Sequence, residues 1–426
     1  MMIYSCFGSL NVSIKYSFVD GYLQKRKTCF SQGIEHSSNK GFPVTVYATS
    51  LETPVVINRL GEENVHSIGS FFNEINEKFG SDILWSEERL LTLIGRIALA
   101  ISRNYPNYVV KMTAFEEIVG HCMSSDHSSL VRKTTRYSSV RIKLKHRNKD
   151  CNEEVHYFTG ESNNVWFWKN LDVGEILKSL EEKLRCSCSQ IVSFGLKEKV
   201  LLGAGSGGIL FHEACGHMLE SDKILNGLSV FRKMMKEQIA PSFFNLIDDP
   251  LIENSFGYSE FDDEGIKCSS KQIITNGFIS EFFCINEDLK YCTDFKSPGN
   301  SRRENYRSVN SARMSNTFVL PTDNSFEQLV DNVESGVYCK ELQSGIVSPY
   351  GDYSFYCPVL YEIKNGIIGA PLRPSFVRGN IVSSLKNIIM IGKELCFASG
   401  FCSGRSGKIP VSVGQPAVLI GNLEII

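Results

Sequence analysis

The chain has 426 residues, more than a single hydrophobic core usually supports, and its 42% hydrophobic and 22% charged residues are the mixture of a folded globular protein. Its 45 Lys and Arg against 47 Asp and Glu leave a formal net charge of -2, so the charge balance gives no reason to expect nucleic acid or an anionic membrane as partner. No apolar run approaches the ~20 residues of a membrane-spanning helix, and the 14 cysteines are scattered without a repeating framework, which fits a reducing, cytoplasmic setting better than a disulfide scaffold.

The segment from Met1 to Phe18 lacks the basic start and apolar block of an export signal and alternates like a first strand. Strand-like alternation runs on to about Ser50, and a helix follows Trp85. Ser86 can cap it, Leu90, Leu93, Ile94, Ile97 and Ile101 recur at three to four, and Pro106 lies beyond its end. The densest basic stretch, Arg132 to Lys149, alternates Val140, Ile142 and Leu144 with Arg141, Lys143 and Lys145. That is the pattern of a half-exposed strand, its charged face either solvated or steering a substrate. A second helix is predicted from Asp172 to near Arg185, with Ile176, Leu177, Leu180 and Leu184 on one stripe. The run Cys186-Ser-Cys-Ser-Gln190 then reads as a connection whose paired thiols, lacking a second pair, are incidental.

From Ile191 onward short strands and turns dominate. Asn276-Gly277 and Asn365-Gly366 each separate apolar runs and call for type I′ hairpins. A helix after Ser325 carries Gln328 as a capping box, with Gly336 placed to close it. The expectation is an α+β protein: an N-terminal mixed α/β domain, residues 1–190, followed by a β-rich, barrel- or sandwich-like C-terminal domain, residues 191–426. One helix of the latter opens at a glycine-rich segment.

That segment, Gly203-Ala-Gly-Ser-Gly-Gly-Ile-Leu-Phe-His-Glu-Ala-Cys-Gly-His217, carries the chemistry. Gly203, Gly205 and Gly208 satisfy G-x-G-x-x-G, with Asp222 at the distance of a ribose-binding acid, so a nucleotide-binding oxidoreductase is one alternative, although a lone match is a weak signal. The other reading starts from His212-Glu213-x-x-x-His217, which resembles the zinc signature H-E-x-x-H with one extra residue. Five residues of regular helix turn about 500°, leaving the rings about 140° apart. A π-bulge absorbs the extra residue and returns both rings to one face, and Gly216 makes such a distortion cheap. Neutral imidazoles leave zinc Lewis-acidic, and the adjacent carboxylate of Glu213 is placed as a general base. A catalytic zinc takes three protein ligands. Spacing alone leaves the third open among the remaining histidines, carboxylates and thiols, and Cys215, the nearest thiol, points away between the two histidines.

The residues resemble the TldD/PmbA family of metallopeptidases well beyond that motif. Leu210 to Asp222 is similar to the family helix almost residue for residue. Asp262-Asp-Glu-Gly265, Gly299-Asn-Ser-Arg-Arg-Glu-Asn-Tyr306, Arg313-Met-Ser-Asn-Thr317 and Ile409-Pro-Val-Ser-Val-Gly-Gln-Pro416 resemble successive family blocks. The resemblance implies that Cys402, eight residues before Pro410, is the third ligand of one zinc ion per chain. It implies peptide hydrolysis with Glu213 as base, acting on short, unfolded or leader-type peptides bound extended, by a homodimer or by a heterodimer with a paralogous subunit. Arg302, Arg303, Arg313 and Tyr306 are candidates for contacting the substrate. A non-catalytic peptide-binding or assembly subunit of a TldD/TldE-like complex is the alternative, and a thiol hydrolase using Cys215 a remote one.

Overall fold

The structure is a computed structural model that describes residues 4–19, 22–38, 43–49, 87–124, 131–148, 151, 153–189, 198–235, 237–289, 299–305 and 308–426. Side-chain descriptions begin at Leu90. The Ser86 cap, the connection after Ser189 and Tyr306 lie outside the described residues.

Six strands, β1 (Tyr4–Val19), β2 (Tyr22–Ser38), β3 (Pro43–Thr49), β4 (Tyr108–Ser124), β5 (Val131–His146) and β6 (Glu154–Ser162), form an antiparallel sheet of order β3-β2-β1-β4-β5-β6. The helices Glu87–Asn104 and Val173–Ser187 supply its core. Their stripes, Leu90, Ile94, Ile97 and Ile101 on one and Ile176, Leu180 and Leu184 on the other, are buried with Val110, Met112, Val140, Ile142 and Leu144. Burying each such side chain stabilises the fold by about 1.5–3 kcal/mol, so Ile142→Lys would break this layer. The period of two in β5 therefore divides cleanly: Val140, Ile142 and Leu144 point to the helices, and Arg141 and Lys143 point to the opposite face, which borders a cavity. Asp172 caps the second helix by accepting from the backbone N–H groups of Gly174 at 2.7 Å and Glu175 at 3.4 Å.

The remainder is built on two open sheets. In the nine-stranded one, Glu198–Leu202 lies between Val418–Ile425, antiparallel to it, and Ser335–Glu341, parallel to it. The six-stranded one runs in the order Phe278–Ile279, Lys271–Thr275, Leu246–Asp248, Asn316–Val319, Gly407–Gln415, Cys396–Gly404. No described sheet closes on itself, so the architecture is layered sheets rather than a barrel. Residues of both sheets, among them Val200, Leu202, Ile273 and Val319, share one core with Phe211, Ala214 and Met218, which places the glycine-rich segment and its helix between the sheets. The far side of the nine-stranded sheet is covered by the helix Phe326–Asp331, whose Leu329 and Val330 pack with Leu201 and Leu419.

Both hairpins form, with Asn276 and Gly277 at φ 51° and 80° and Asn365 and Gly366 at 49° and 72°. The Ser325 capping box is complete in both directions. Two local expectations are corrected, and one helix is added. Gly336 is a strand residue, and glycine is required there because a Cβ would stand 2.2 Å from the Lys199 carbonyl oxygen. Cys186 belongs to the last turn of the second helix, buried with its thiol donating to the Leu360 carbonyl at 3.8 Å. A further helix, Ile381–Lys386, is capped by Asn380, whose short apolar stripe gives little sequence signal. No described helix is long and apolar enough to cross a membrane.

Candidate metal centre

The strand Glu198–Leu202 delivers the chain into the glycine-rich turn, which packs against backbone rather than opening to a phosphate. A Cβ on Gly203 would stand 2.2 Å from the Lys340 carbonyl oxygen, and one on Gly208 2.8 Å from that of Gly414. The glycines are thus explained by close packing, and nothing at the turn supports the nucleotide-binding alternative. Ile209–Phe211 then starts as α-helix, and His212–Gly216 widens into a π turn. Gly216 faces Met314, whose sulfur would lie 1.9 Å from any Cβ, so the turn is both widened and tightly backed.

The widened turn puts the two imidazoles side by side, ring centroids 5.3 Å apart and nearly perpendicular. Cys402, on the terminal strand of the six-stranded sheet, brings its Sγ to 2.9 Å from His217 Nε2. The Glu213 carboxylate lies 3.6 Å from the same nitrogen. Donor atoms of His212, Glu213, His217 and Cys402 all fall within 4.8 Å of one another, although Cys402 is 185 residues from His217. Cys215 is fully buried, and burial pushes its thiol pKa up, which removes it as a nucleophile.

The electrostatics differ between the two histidines. His212 is buried, and burial followed by the positive charges around His217, Arg313 and Arg302 holds its pKa well below the ordinary imidazole value. It is therefore neutral, yet neither of its buried ring nitrogens has a hydrogen-bond partner. A buried polar atom without a partner costs about 1–3 kcal/mol, and a lone pair aimed at a thiol, a second imidazole and a carboxylate is accounted for by a shared cation. The donor set, two nitrogens and a sulfur with a carboxylate beside them, suits a borderline-soft ion such as zinc. His217 behaves oppositely. Burial opposes its charge, but the carboxylate of Glu220 and the sulfur of Cys402 outweigh burial and raise its pKa well above the ordinary value. Glu220 accepts from His217 Nδ1 at 2.8 Å, which directs Nε2 toward the cluster.

Arg313 is buried and does not reach into the cavity as a free cation. Its Nε lies 3.6 Å from Glu220, and its guanidinium donates to the Ser406 hydroxyl at 2.9 Å. It thereby ties the helix to the turn that follows Cys402. Arg302 donates to the carbonyls of Met314 at 2.9 Å and Pro410 at 2.8 Å, and it borders the cavity as well. Arg303 is half-buried and borders the cavity. Sequence reasoning missed Glu220; its place three residues after His217 was the available signal.

Above the cluster lies a cavity of about 1980 Å³, with His212, Glu213 and Cys402 in one wall and β4, β5 and β6 in the other. The strand Cys396–Gly404 has no strand paired on its outer side among the described residues, and it lines this cavity along most of its length. The two walls are joined by Asp263, which accepts from Arg303 N at 2.7 Å and lies 3.3 Å from both Lys133 Nζ and His121 Nδ1.

Comparison with known proteins places this arrangement. Residues 197–426, over half the chain, match the family described as PmbA/TldA metallopeptidase C-terminal domain. The chain is 28% identical over 405 residues, covering 93% of it and 89% of the relative, to a zinc metalloprotease TldD homolog of Saccharolobus solfataricus. It is 33% identical over 229 residues to a metalloprotease TldD homolog of Buchnera aphidicola, where the match covers 53% of this chain and 47% of the relative, about half its length. In structure it is similar to TldE from Thermococcus kodakarensis, with TM-score 0.71, 15% identity, and coverage of 98% of this chain and 96% of that one. A Thermotoga maritima protein gives TM-score 0.74 at 15% identity, covering 100% and 96%.

Proposed function

Given that this chain belongs to the PmbA/TldD family of metallopeptidases, we propose that it is a zinc-dependent peptidase in which His212, His217 and Cys402 hold one ion and Glu213 is the catalytic base. The observation that carries this reading is the convergence of those four side chains on one wall of a cavity, with His212 neutral and unpartnered. When bound, zinc supplies Lewis acidity toward water and toward a peptide carbonyl.

The protein's own groups do the rest. Glu213, partly exposed to the cavity, accepts a proton from the attacking water and returns it to the leaving amine. Glu220 fixes the orientation of His217, and Arg313 fixes Glu220. The unpaired outer side of Cys396–Gly404 suits an extended peptide added as a further strand, which reads backbone more than side chains and favours short, unfolded or leader-type substrates. Arg303, which borders the cavity, is a candidate for contacting such a substrate.

In this reading residues 1–190 form an α/β unit that walls the cavity and residues 191–426 the catalytic unit. The protein works in the cytoplasm as a homodimer or beside a paralogous subunit, a pairing for which the likeness to a TldE structure offers support. The test is metal analysis of the purified chain, followed by cleavage of an unstructured peptide library with and without chelator. One zinc per chain and hydrolysis abolished by chelation are expected. Glu213→Gln should retain the zinc and lose roughly 10²–10⁴-fold in kcat/KM. Bound peptide with no hydrolysis, unchanged in Glu213→Gln, would favour a non-catalytic assembly subunit instead.

A further inference from the structure

Four of the cations that border the cavity are already neutralised. Lys133 faces Asp263 at 3.3 Å, Lys183 faces Glu341 at 2.8 Å, Lys340 faces Glu182 at 2.6 Å, and Lys143 pairs with Glu154. Arg141 and Lys408 are different. Among the described residues neither makes an ion pair, and each lies over an aromatic ring instead. The Arg141 guanidinium carbon is 5.5 Å from the centre of Phe158, and Lys408 Nζ is 4.1 Å from the centre of Phe401. The two rings touch, with centroids 5.7 Å apart. One cation and one ring come from the N-terminal sheet, the others from the hairpin that carries Cys402.

Two like charges held on adjoining rings repel. Burial first, and then Arg141, lowers the Lys408 pKa, and the attraction of Glu304 and Glu117 ranks below that repulsion. Cations set against one another and only partly offset by nearby carboxylates, here Glu304 and Glu117, are relieved further by an anion from outside. A planar carboxylate fits best, because the guanidinium fork binds it in two-point fashion and an ammonium completes it as a point charge.

The position is specific as well. Phe401 directly precedes Cys402, and Lys408 is the antiparallel partner of Ser403, so Lys408 stands one register position from Cys402 on the same hairpin, on the alternate face of its pleat, and Arg141 meets it from β5. A peptide aligned on this strand presents every second side chain, about 6.6–6.8 Å apart, to one face. Arg141, Lys408 and Glu213 border the same cavity, so one peptide can offer a side chain to the two cations and a peptide bond to Glu213.

Resting on the peptidase reading above, we propose that Arg141 and Lys408 form a carboxylate-binding subsite that makes the enzyme prefer peptides with an acidic group one or two residues from the cleaved bond. The carboxylate comes from an Asp or Glu side chain or from the peptide's C-terminus. The experiment uses the zinc-loaded full chain and internally quenched peptides in which Glu is moved along the sequence and compared with Gln, each with a free and an amidated C-terminus. A preference of roughly tenfold in kcat/KM for Glu at one position, weakened by salt, identifies a side-chain ligand. A similar loss on amidation identifies the terminal carboxylate. Arg141→Glu with Lys408→Glu should invert the preference toward a lysine peptide, whereas Arg141→Lys with Lys408→Arg should keep it.

Equal rates for acidic, amide and amidated peptides would overturn the proposal, as would a preference that survives charge reversal. The wild-type comparison alone decides should the reversed protein not fold. Binding of rhodamine-labelled Glu and Gln peptides to Glu213→Gln separates the two readings. Discrimination in binding without any hydrolysis by wild type keeps the subsite and discards the peptidase, and hydrolysis without discrimination does the reverse.

Discussion

Asp263 and His212 are both buried beside the same cavity, yet their surroundings are built in opposite ways. Around Asp263, Lys133, His121 and the Arg303 amide leave a carboxylate with its charge answered from several sides. Around His212 two nitrogens are left without partners. A carboxylate answered in this way serves to join the walls, while an imidazole with both nitrogens unmatched is open to a ligand from outside. The contrast separates structural polarity from functional polarity using burial and partners alone.

The comparison breaks most visibly at Asp263. Replacing it by Ala leaves Lys133 with neutral partners only, the Ser259 hydroxyl and the Phe261 carbonyl, and should cost about 3 kcal/mol in urea denaturation, with zinc content per folded chain unchanged; loss of zinc from the folded variant would show that the seam is part of the site. The same carboxylate gives a pH signature. Burial alone would raise its pKa, but Lys133, His121 and Arg303 hold it well below the usual carboxylate range. A depressed native pKa means that its contribution is full well above the unfolded value of about 4 and is lost progressively as pH falls through that value toward the depressed native one. Denaturation midpoints should therefore fall from pH 6 to pH 3 more steeply in wild type than in Asp263→Asn, and parallel slopes would contradict the pairing.

Next in size is Glu220→Gln, which keeps the shape but weakens the partner of His217 and should lower zinc affinity by about 10–100-fold in competition with a chelator. Smallest is His212→Leu in the metal-free protein. Removing an unpartnered imidazole should leave stability within about 1 kcal/mol of wild type while abolishing zinc uptake. A large destabilisation there would mean that His212 has a structural partner after all.

The parts of this molecule legible in the sequence are those governed by local rules. The stripe Leu90, Ile94, Ile97 and Ile101, the alternation through Val140, Ile142 and Leu144, and the two Asn-Gly hairpins follow from period and turn chemistry, and each stands as expected. The π turn followed from the five-residue offset between His212 and His217, since regular helix could not bring both rings to one ion. Cys402 could not be reached that way. It arrives from another strand 185 residues on, and only likeness to known relatives singled it out. The arginines are less readable. Arg302 and Arg313 carry the residue type of a substrate grip, and both also donate or lie close to protein groups, to backbone carbonyls and to Glu220 and Ser406, so residue type alone does not fix their role. Whether a charged side chain faces a cavity or a neighbouring loop is decided by packing between distant segments, which no short pattern records. Gly336 failed for the same reason, its neighbour Lys199 lying 137 residues earlier in the chain and reached only through the sheet.

The link from Glu220 through Arg313 to Ser406 bridges the helix that bears the imidazoles and the hairpin that bears the thiol. Small zinc domains collapse without their ion because nothing else holds the chelating arms in place. Here a protein-built brace ties the two arms to each other directly, so the expected outcome is a chain that keeps its fold by circular dichroism when a chelator withdraws the ion.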